Sequence, residues 1–399
     1  MRRFYVTDYG VVPDSEKLQT AAFQTAIDAC KQAGGGEIMV PAGRYVVGSL
    51  RLYSHMTFHL MENAVLCGSE NWKDYMDFHV PTTMRYVKDP HYIELWHMPS
   101  YYIYAMLCAF GAQNVSIVGD KGAVIDGMDC SDPNGEEKFR GPMGIVLSWC
   151  ENVHLRGYTF QNSGNWSHQI DSCCNVSIDN VSIKAGHDGF NLHHCTGVTV
   201  SDCHLETGDD CVAGYDVEEL LVERCYFNTA CNSMRFGGSH VTFDRCEFEG
   251  PGHYPHLSEG TNYTHSMFKY YAIGPDIIRQ DAGNIVLKHC AFRDVGKFFF
   301  YDQGNEAVMQ GNRPLRDLTI EDAEIVGLEK TGVFLGNGEA ATLTLKNVSI
   351  SAVPTEFLQI DDAVTLVLDH VRFDVPTVVL AGKNSAVTLT DCENIAVRR

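Results

Sequence analysis

A set of polar side chains recurs at equal intervals in the middle of the chain, and its members are residue types that acid–base chemistry uses. They lie thirteen or sixteen residues after the start of successive copies of a short repeat. The members are Asp188, Asp210, Asn232 and His253 at the first offset, and Arg235 and His256 at the second. Because stacked strands lie about 4.8 Å apart, equal offsets in coils of equal length predict one column of side chains.

Three carboxyl groups near this column, those of Asp188, Asp209 and Asp210, suit the cleavage of a bond to oxygen. Like charges at this spacing repel, so one carboxyl is expected to hold a proton. It can donate that proton to a leaving oxygen while an ionised neighbour takes a proton from water. Glycoside cleavage requires such a pair. The alternatives are a solvated turn at Gly208-Asp209-Asp210 and a calcium site of hard oxygen ligands.

Further side chains near these acids are candidates for holding a sugar. An arginine can grip a carboxylate with two parallel hydrogen bonds, and an indole ring can stack on a sugar ring. We therefore predict substrate binding by His187, Asn232, Arg235, His253, His256 and Trp166. His187, His193 and His194 flank Asp188, so a His/His/Asp metal site is an alternative, but their spacing matches no known ligand pattern. The sequence predicts neither a metal nor a cofactor.

A short repeat supplies the elements that must position these side chains. Each copy has apolar residues at its second and fourth positions, as in Asn175-Val176-Ser177-Ile178. Copies that start between residues 152 and 240 are 23, 22, 22 and 21 residues apart, and eleven copies occupy most of the chain. Alternation predicts strands, and the near-constant period predicts one solenoid coil per copy. The predicted fold class is all-β, a right-handed parallel β-helix; an antiparallel sandwich is the alternative.

The first 40 residues are predicted to form an N-terminal cap with a short helix. Asp14-Ser15 can begin a helix that continues to about Lys31, and the glycines at 34–36 can end it. Its buried face comprises Phe23, Ile27 and Cys30. Two intervals between copies exceed one coil, from 114 to 152 and from 240 to 284. Together with the aromatic-rich stretch from Trp72 to Tyr104, they predict loop insertions at about 70–113 and 250–283 that border the cleft. The whole chain, residues 1–399, is predicted to be a single β-helix domain.

Composition limits the partners and the compartment. Acidic residues outnumber basic ones by 51 to 30, a net charge of −21, which disfavours nucleic acids and anionic membrane surfaces. The chain has no apolar run long enough to span a bilayer and no visible secretory signal, so we expect a cytoplasmic protein. Fifteen cysteines without regular pairs predict buried, reduced thiols. A homo-oligomer remains open.

Short motifs along the chain resemble those of glycoside hydrolase family 28, the polygalacturonases and their relatives. The N-terminal matches are Asp8-Tyr9-Gly10, Ala26-Ile27-Asp28-Ala29, Gly34-Gly35-Gly36, Val40-Pro41-Ala42-Gly43 and Gly48. The later matches are Ile125-Asp126-Gly127, Asn162-Ser163-Gly164-Asn165-Trp166, Asp188-Gly189-Phe190 and Thr207-Gly208-Asp209-Asp210-Cys211. The resemblance covers about residues 5–305, and it implies a pectin-lyase-like solenoid.

The resemblance implies an inverting hydrolase in which Asp209 is the general acid. Asp188 and Asp210 match the pair that orients and deprotonates water. The chain departs from the family where Asn-Thr-Asp is replaced by Gly186-His187-Asp188 and Gly-His-Gly by Cys231-Asn232-Ser233, and Arg-Ile-Lys is missing from the following coil. The lost motifs tune the acid and grip the substrate's carboxylate. Arg235 and His253 are the local candidates to replace them.

We predict a glycosidase that cleaves a pectin-related oligosaccharide by inverting acid–base hydrolysis. The two insertions bracket the acids, so they predict a groove closed at one end and exo-action. One alternative is a carbohydrate-binding β-helix without turnover. The other is a β-helix uronate lyase or epimerase, which would need more basic groups than the sequence places near the acids.

Overall fold

The computed structural model describes residues 2–304 and 313–399 of the 399-residue chain. It divides into two compact units, Met1–His204 and Leu205–Arg399, and each is built mainly from parallel strands. We describe the units one at a time. The prediction of a single domain stays a prediction.

The first unit contains both α-helices of the described residues and many short strands. The helices are α1 (Thr20–Gln32) and α2 (Pro90–Trp96). The strands are β1 (Arg3–Tyr5), β2 (Ser15–Leu18), β3 (Gly36–Val40), β4 (Gly43–Val47), β5 (Leu50–Leu52), β6 (Met56–Leu60), β7 (Ala64–Gly68), β8 (Ala105–Phe110), β9 (Gln113–Gly119), β10 (Val124–Asp126), β11 (Met143–Ser148), β12 (Glu151–Arg156), β13 (Thr159–Gln161), β14 (His168–Asp171), β15 (Cys174–Asp179), β16 (Ser182–Ala185), β17 (Phe190–His193) and β18 (Thr196–Ser201).

The second unit contains the remaining strands, several of which are longer than ten residues, and the strand His204–Thr207 begins at the last residue of the first unit. These strands are β19 (His204–Thr207), β20 (Val212–Glu223), β21 (Tyr226–Thr229), β22 (Asn232–Asp244), β23 (Glu247–Glu249), β24 (Ser266–Tyr270), β25 (Gly283–Lys288), β26 (Ala291–Val295), β27 (Lys297–Asp302), β28 (Asp317–Leu328), β29 (Gly332–Leu335), β30 (Ala341–Ser351), β31 (Glu356–Ile360), β32 (Val364–Ala381), β33 (Ala386–Thr390) and β34 (Glu393–Arg398).

Strands of the first unit pair in parallel along three ladders, and successive coils add strands to each. One ladder follows the order β1, β3, β6, β9, β12, β15, β18. The second follows β2, β4, β7, β10, β13, β16. The third follows β5, β8, β11, β14, β17. This is the parallel, β-helix-like arrangement that the repeat predicts.

The apolar positions of the repeat form the core of this unit. Val115, Val153, Val176 and Val198 occupy equivalent places on β9, β12, β15 and β18 and are buried. Because residues in a strand alternate between faces, the intervening polar residues point outward. A single coil could not bury its valine without the coils on both sides of it, so stacking of the coils creates the core.

The first residue of several repeat copies adopts left-handed backbone, which accounts for its residue type. Asn114, Asn152 and Asn175 have φ values of 55°, 57° and 54°. Asparagine tolerates this region better than most residues. The Asn152 amide donates to the Asn114 Oδ1 at 3.2 Å, and the Asn175 amide donates to the Asn152 Oδ1 at 3.2 Å. We call these three residues the asparagine ladder.

Helix α1 lies near the N-terminus as predicted, but it starts later than the sequence suggests. Residues Ser15–Leu18 form β2, which pairs with β4, so Asp14-Ser15 does not begin the helix. The predicted apolar face is confirmed, because Phe23, Ile27 and Cys30 are fully buried. The helix contacts β1, β3 and β5. No helix in the described residues is long and apolar enough to cross a membrane.

Strands of the second unit also pair in parallel, and its long strands bend to take part in two ladders. β22 pairs with β24 through its first half and with β25 through its second. β28, β30 and β32 contribute to two ladders in the same way. Phe227, Phe248 and Phe292 stack in the core with ring centroids 4.9 Å apart at each step.

The predicted insertions contain strands as well as loops. Strand β8 occupies the end of the 70–113 interval, so the loop there comprises residues 69–104 and includes α2. Tyr86, Tyr92 and Trp96 pack together within it. The 250–283 interval contains β24, which divides it into a 250–265 loop and a 271–282 loop. A strand inside each interval was not predicted.

The cysteines agree with the prediction of reduced core thiols. None forms a disulfide among the described residues, and all but Cys174 and Cys392 are buried.

Candidate functional site

In the first unit, Asp188 lies in the turn between β16 and β17. Its side chain accepts a hydrogen bond from the Asn191 Nδ2 at 2.7 Å, and its backbone carbonyl accepts one from the Ser167 N–H at 2.9 Å. The residue is 2% exposed. Asn191 follows Asp188 by three residues, so the local turn itself orients the carboxylate.

The two aromatic candidates of this unit are packed into its structure. His187 is buried and stacks on Phe139, with ring centroids 5.9 Å apart. The Trp166 ring meets Tyr102 edge to face at 5.6 Å and is 7% exposed. Little of the indole is therefore available for stacking on a sugar in this conformation.

Two buried acids that the sequence did not single out bind tyrosine hydroxyls of the 69–104 loop. Asp132 accepts hydrogen bonds from the Tyr101 and Tyr104 hydroxyls at 2.9 and 3.0 Å. Glu136 accepts one from the Tyr102 hydroxyl at 2.9 Å, and burial raises the pKa of Glu136. Because their hydrogen-bond donors lie about thirty residues away in the 69–104 loop, sequence spacing carried no signal for them.

In the second unit, Asp209 and Asp210 follow β19 and have different surroundings. Asp210 is fully buried, and its Oδ1 accepts hydrogen bonds from the Asn232 side chain at 2.7 Å and backbone N–H at 3.2 Å. Its Oδ2 lies 3.4 Å from the Arg235 Nη1. The predicted proximity of Asn232 and Arg235 to Asp210 is confirmed by these contacts.

Asp209 is held by its backbone and by a histidine from a loop. The Thr207 and Thr229 hydroxyls both donate to the Asp209 carbonyl. The Asp209 Oδ1 lies 3.5 Å from the His256 Nε2, and its side chain keeps 12% of its surface exposed. The Glu259 N–H donates to the His256 Nδ1 at 3.2 Å, so the ring proton belongs on Nε2, facing Asp209. His256 thus contacts an acid directly.

Arg235 has a second cation beside it, Lys269, which the sequence analysis missed. Strands β22 and β24 pair so that Arg235 and Lys269 occupy equivalent positions. The Arg235 guanidinium lies over the Tyr271 ring, 3.8 Å from its centroid. Burial, and then the charge of Arg235, lower the pKa of Lys269, while Asp210 acts in the opposite direction. An anion between the two cations would relieve their repulsion.

The register of β24 corrects the predicted column. Equal offsets placed His253 above Asn232 and His256 above Arg235, but the partners on β24 are Ser266 and Lys269. Both predictions miss by thirteen residues, because the 250–265 loop precedes β24 within that coil. His253 instead contacts Glu206 through its Nδ1 at 3.5 Å, and its side chain is 55% exposed.

Comparison with protein families supports the resemblance found in the sequence. Residues 94–231 match the model of glycosyl hydrolases family 28. A probable polygalacturonase of Vitis vinifera is 30% identical over 220 residues, which cover 52% of this chain and 43% of the relative. An exo-poly-alpha-D-galacturonosidase of Dickeya chrysanthemi is 47% identical over 72 residues, 18% of this chain and 12% of the relative. The chain thus spans less than half the length of these curated relatives.

A solved structure shows the same fold. The hyperthermoactive exopolygalacturonase of Thermotoga maritima superposes with a TM-score of 0.70 at 15% sequence identity, covering 93% of this chain and 91% of that one. The resemblance to the polygalacturonase-like proteins of family 28 is confirmed by these matches. The matched segment 94–231 contains Asp188, Asp209 and Asp210.

Proposed function

We propose that this protein is an exo-acting glycoside hydrolase that cleaves pectin-related oligosaccharides with inversion at the anomeric carbon. One observation carries the proposal: Asp209 and Asp210 are adjacent carboxyl groups in different surroundings, within a segment that matches glycosyl hydrolases family 28. Asp210 is fully buried and bound by Asn232 and Arg235, whereas the Asp209 side chain keeps 12% of its surface exposed. Different surroundings are what assign separate acid and base roles to two carboxyls.

Asp209 is the general acid in this proposal. Its carboxyl gives a proton to the glycosidic oxygen as the bond from that oxygen to the anomeric carbon breaks. The His256 Nε2 lies 3.5 Å from the Asp209 Oδ1. That contact helps to orient the carboxyl, and the Thr207 and Thr229 hydroxyls hold the Asp209 backbone carbonyl. The sequence assigned the role of the missing family histidine to His253, and the contacts with Asp209 favour His256 instead.

The family resemblance assigns to Asp210 and Asp188 the task of orienting and deprotonating water. A water molecule on the opposite face of the sugar loses a proton to one of these carboxylates, and its oxygen bonds to the anomeric carbon. The cycle consumes one water, leaves Asp209 ionised and one base protonated, and both return to their starting states through solvent. The amide donors, Asn232 on Asp210 and Asn191 on Asp188, keep each carboxylate in one orientation.

Arg235 and Lys269 suggest that the bound sugar carries a carboxylate. The two cations occupy equivalent positions on neighbouring strands, and stacking on Tyr271 fixes the plane of the guanidinium. A uronate carboxylate would accept two parallel hydrogen bonds from the arginine and would be attracted by the positive charge of the lysine. The sequence had left the identity of the sugar open because Arg-Ile-Lys is absent. Lys269 restores a cation at this position.

Exo-action, the capping function of α1, the right-handed coil and the cytoplasmic location belong to the same proposal. The names of two relatives, an exo-poly-alpha-D-galacturonosidase and an exopolygalacturonase, support exo-action. The buried face of α1 and its contacts with β1, β3 and β5 support a cap. The many buried cysteines, none of which forms a disulfide among the described residues, support a reducing compartment.

The test is product analysis on a series of galacturonate oligomers with defined length. We expect a single small product from early times, of inverted anomeric configuration by NMR. The Asp209→Asn variant should bind the oligomers and release product about 10² to 10⁴ times more slowly. His253→Asn is the matched control for His256→Asn, since both residues lie in the 250–265 loop and only His256 contacts Asp209.

Other outcomes would refute parts of the proposal. A ladder of intermediate oligomers would contradict exo-action. Binding without any product would favour a carbohydrate-binding protein. An unsaturated product would identify a lyase, whose chemistry requires basic groups such as Lys269 beside Arg235.

A further inference from the structure

Three side chains at the edge of the proposed acid form a compact set of metal-binding atoms. The carboxylate of Asp209, the thiol of Cys231 and the imidazole of His256 place one ligand atom each within 4.8 Å of one another. All three residues are buried. They come from separate segments: the turn after β19, the residue before β22 and the 250–265 loop. The set shares no residue with the His/His/Asp site that the sequence raised as an alternative.

The donor types select the ion. Thiolate and imidazole are ligands that Zn²⁺ prefers, whereas Ca²⁺ and Mg²⁺ require oxygen. Two ligand atoms at about 2.1 Å from one tetrahedral zinc ion lie about 3.4 Å apart. The His256 Nε2 and the Asp209 Oδ1 are separated by 3.5 Å. Three protein ligands leave a fourth position for water.

Charges of both signs lie near the Cys231 thiol, and burial raises the pKa of this thiol, whose proton must leave when zinc binds. The Cys231 sulfur is within electrostatic range of the carboxylates of both Asp209 and Asp210. Lys269 and Arg235 act in the opposite direction. Zinc would require the proton of His256 to move from Nε2 to Nδ1, and the Glu259 N–H would then lose its acceptor. Binding is therefore coupled to a local adjustment of the 250–265 loop.

We propose that Asp209, Cys231 and His256 bind one Zn²⁺ ion. A bound ion would occupy the Asp209 oxygens, so the carboxyl could no longer carry a proton to the glycosidic oxygen. Zinc is thus an inhibitor of the activity proposed above, and this inhibitory part rests on that activity. The binding site itself does not depend on it.

Binding is tested with Zn²⁺ and Co²⁺ on the full chain, freed of metal with a chelator. We expect one Zn²⁺ per chain in a competition titration with a chromophoric chelator. Cys231→Ser and His256→Asn should each weaken binding at least tenfold. Cys290→Ser, another buried thiol of the second unit, and His253→Asn are the matched controls and should leave the affinity unchanged. The Co²⁺ complex should show thiolate charge-transfer absorption that is absent in Cys231→Ser.

The site is refuted if the folded protein binds no zinc, or if both Cys231→Ser and His256→Asn bind it as tightly as the parent chain. Far-ultraviolet circular dichroism confirms that each variant is folded before titration. Inhibition is measured separately: added Zn²⁺ should lower turnover of the parent chain and of Cys290→Ser. Zinc binding with undiminished turnover would refute the inhibitory role but would still support the binding site. A protein without turnover that still binds zinc through these ligands would refute only the proposed hydrolase activity.

Discussion

His168 should make the first unit less stable in mild acid. His168 is the first residue of β14 and follows Ser167, whose N–H donates a hydrogen bond to the Asp188 carbonyl. Its Nε2 lies 2.9 Å from the Tyr158 hydroxyl and its Nδ1 lies 3.1 Å from the Ser167 Oγ. The Ser167 hydroxyl donates to the Gly189 carbonyl, so Ser167 accepts the Nδ1 proton and Nε2 accepts from Tyr158. The neutral ring is fully satisfied, and a second ring proton would face a donor.

Full burial lowers the pKa of His168 from 6.5 to about 3. A histidine whose pKa is lowered in the folded protein does not change the free energy of unfolding above pH 6.5, because the ring is neutral there in both the folded and the unfolded chain. As the pH falls below 6.5 the unfolded chain takes up a proton that the native ring refuses, so stability is lost progressively down to about pH 3. Between pH 7 and pH 5 the loss is about 2 kcal/mol, since each pH unit below the unfolded pKa costs about 1.4 kcal/mol.

The assay is urea denaturation of the parent chain and of His168→Gln at pH 7 and pH 5. The difference in unfolding free energy between the two proteins should shift by about 2 kcal/mol in favour of the variant at pH 5. His154→Gln removes an exposed histidine of the same unit and controls for a general effect of histidine loss. A parent-to-variant difference that is equal at both pH values would show that His168 takes up its proton in the native state and would refute the reasoning.

Three further predictions concern the proposed site. Asp209→Asn should lower kcat by about 10² to 10⁴ with little change in Tm. Asp210→Asn should lower kcat and also cost about 2 kcal/mol of unfolding free energy, because it weakens a partly buried, charged contact with Arg235. Equal Tm values for the two variants would contradict this. Arg235→Lys should raise KM for a uronate oligomer about tenfold with kcat retained, and an unchanged KM would remove the arginine from the sugar-binding site. The apparent affinity for the oligomer should fall at alkaline pH with a pKa below 10.5, because Lys269 loses its charge early, and this limb should vanish in Lys269→Met; its persistence in the variant would assign it to another group.

The sequence predicted the parts of the fold that repeat. Val153, Val176 and Val198 stack as their spacing requires, because their coils are nearly equal in length. The same regularity correctly placed Asn232 and Arg235 beside Asp210. Periodicity therefore carries side-chain position as well as strand content wherever no loop intervenes.

The rest could not be predicted because loops break that regularity. Lys269 lies thirteen residues beyond the position that a fixed period assigns, so a residue count chose His256 in its place. His256 reached the acids by the course of its loop, which no residue count describes. The start of α1 was misjudged for a different reason: Ser15–Leu18 can pair with β4, and that tertiary contact outweighed a good capping sequence.

The asparagine ladder has a consequence for how chains of this kind can change in length. The coil of residues 152–174 gives one amide hydrogen bond to Asn114 and receives one from Asn175. A duplicate of this coil would offer the same donor and the same acceptor to its neighbours, and the valine column would continue through it. A gene could thus gain or lose such a segment in one step while every interface stays matched. The number of coils and the residues of the proposed site could then change independently of each other.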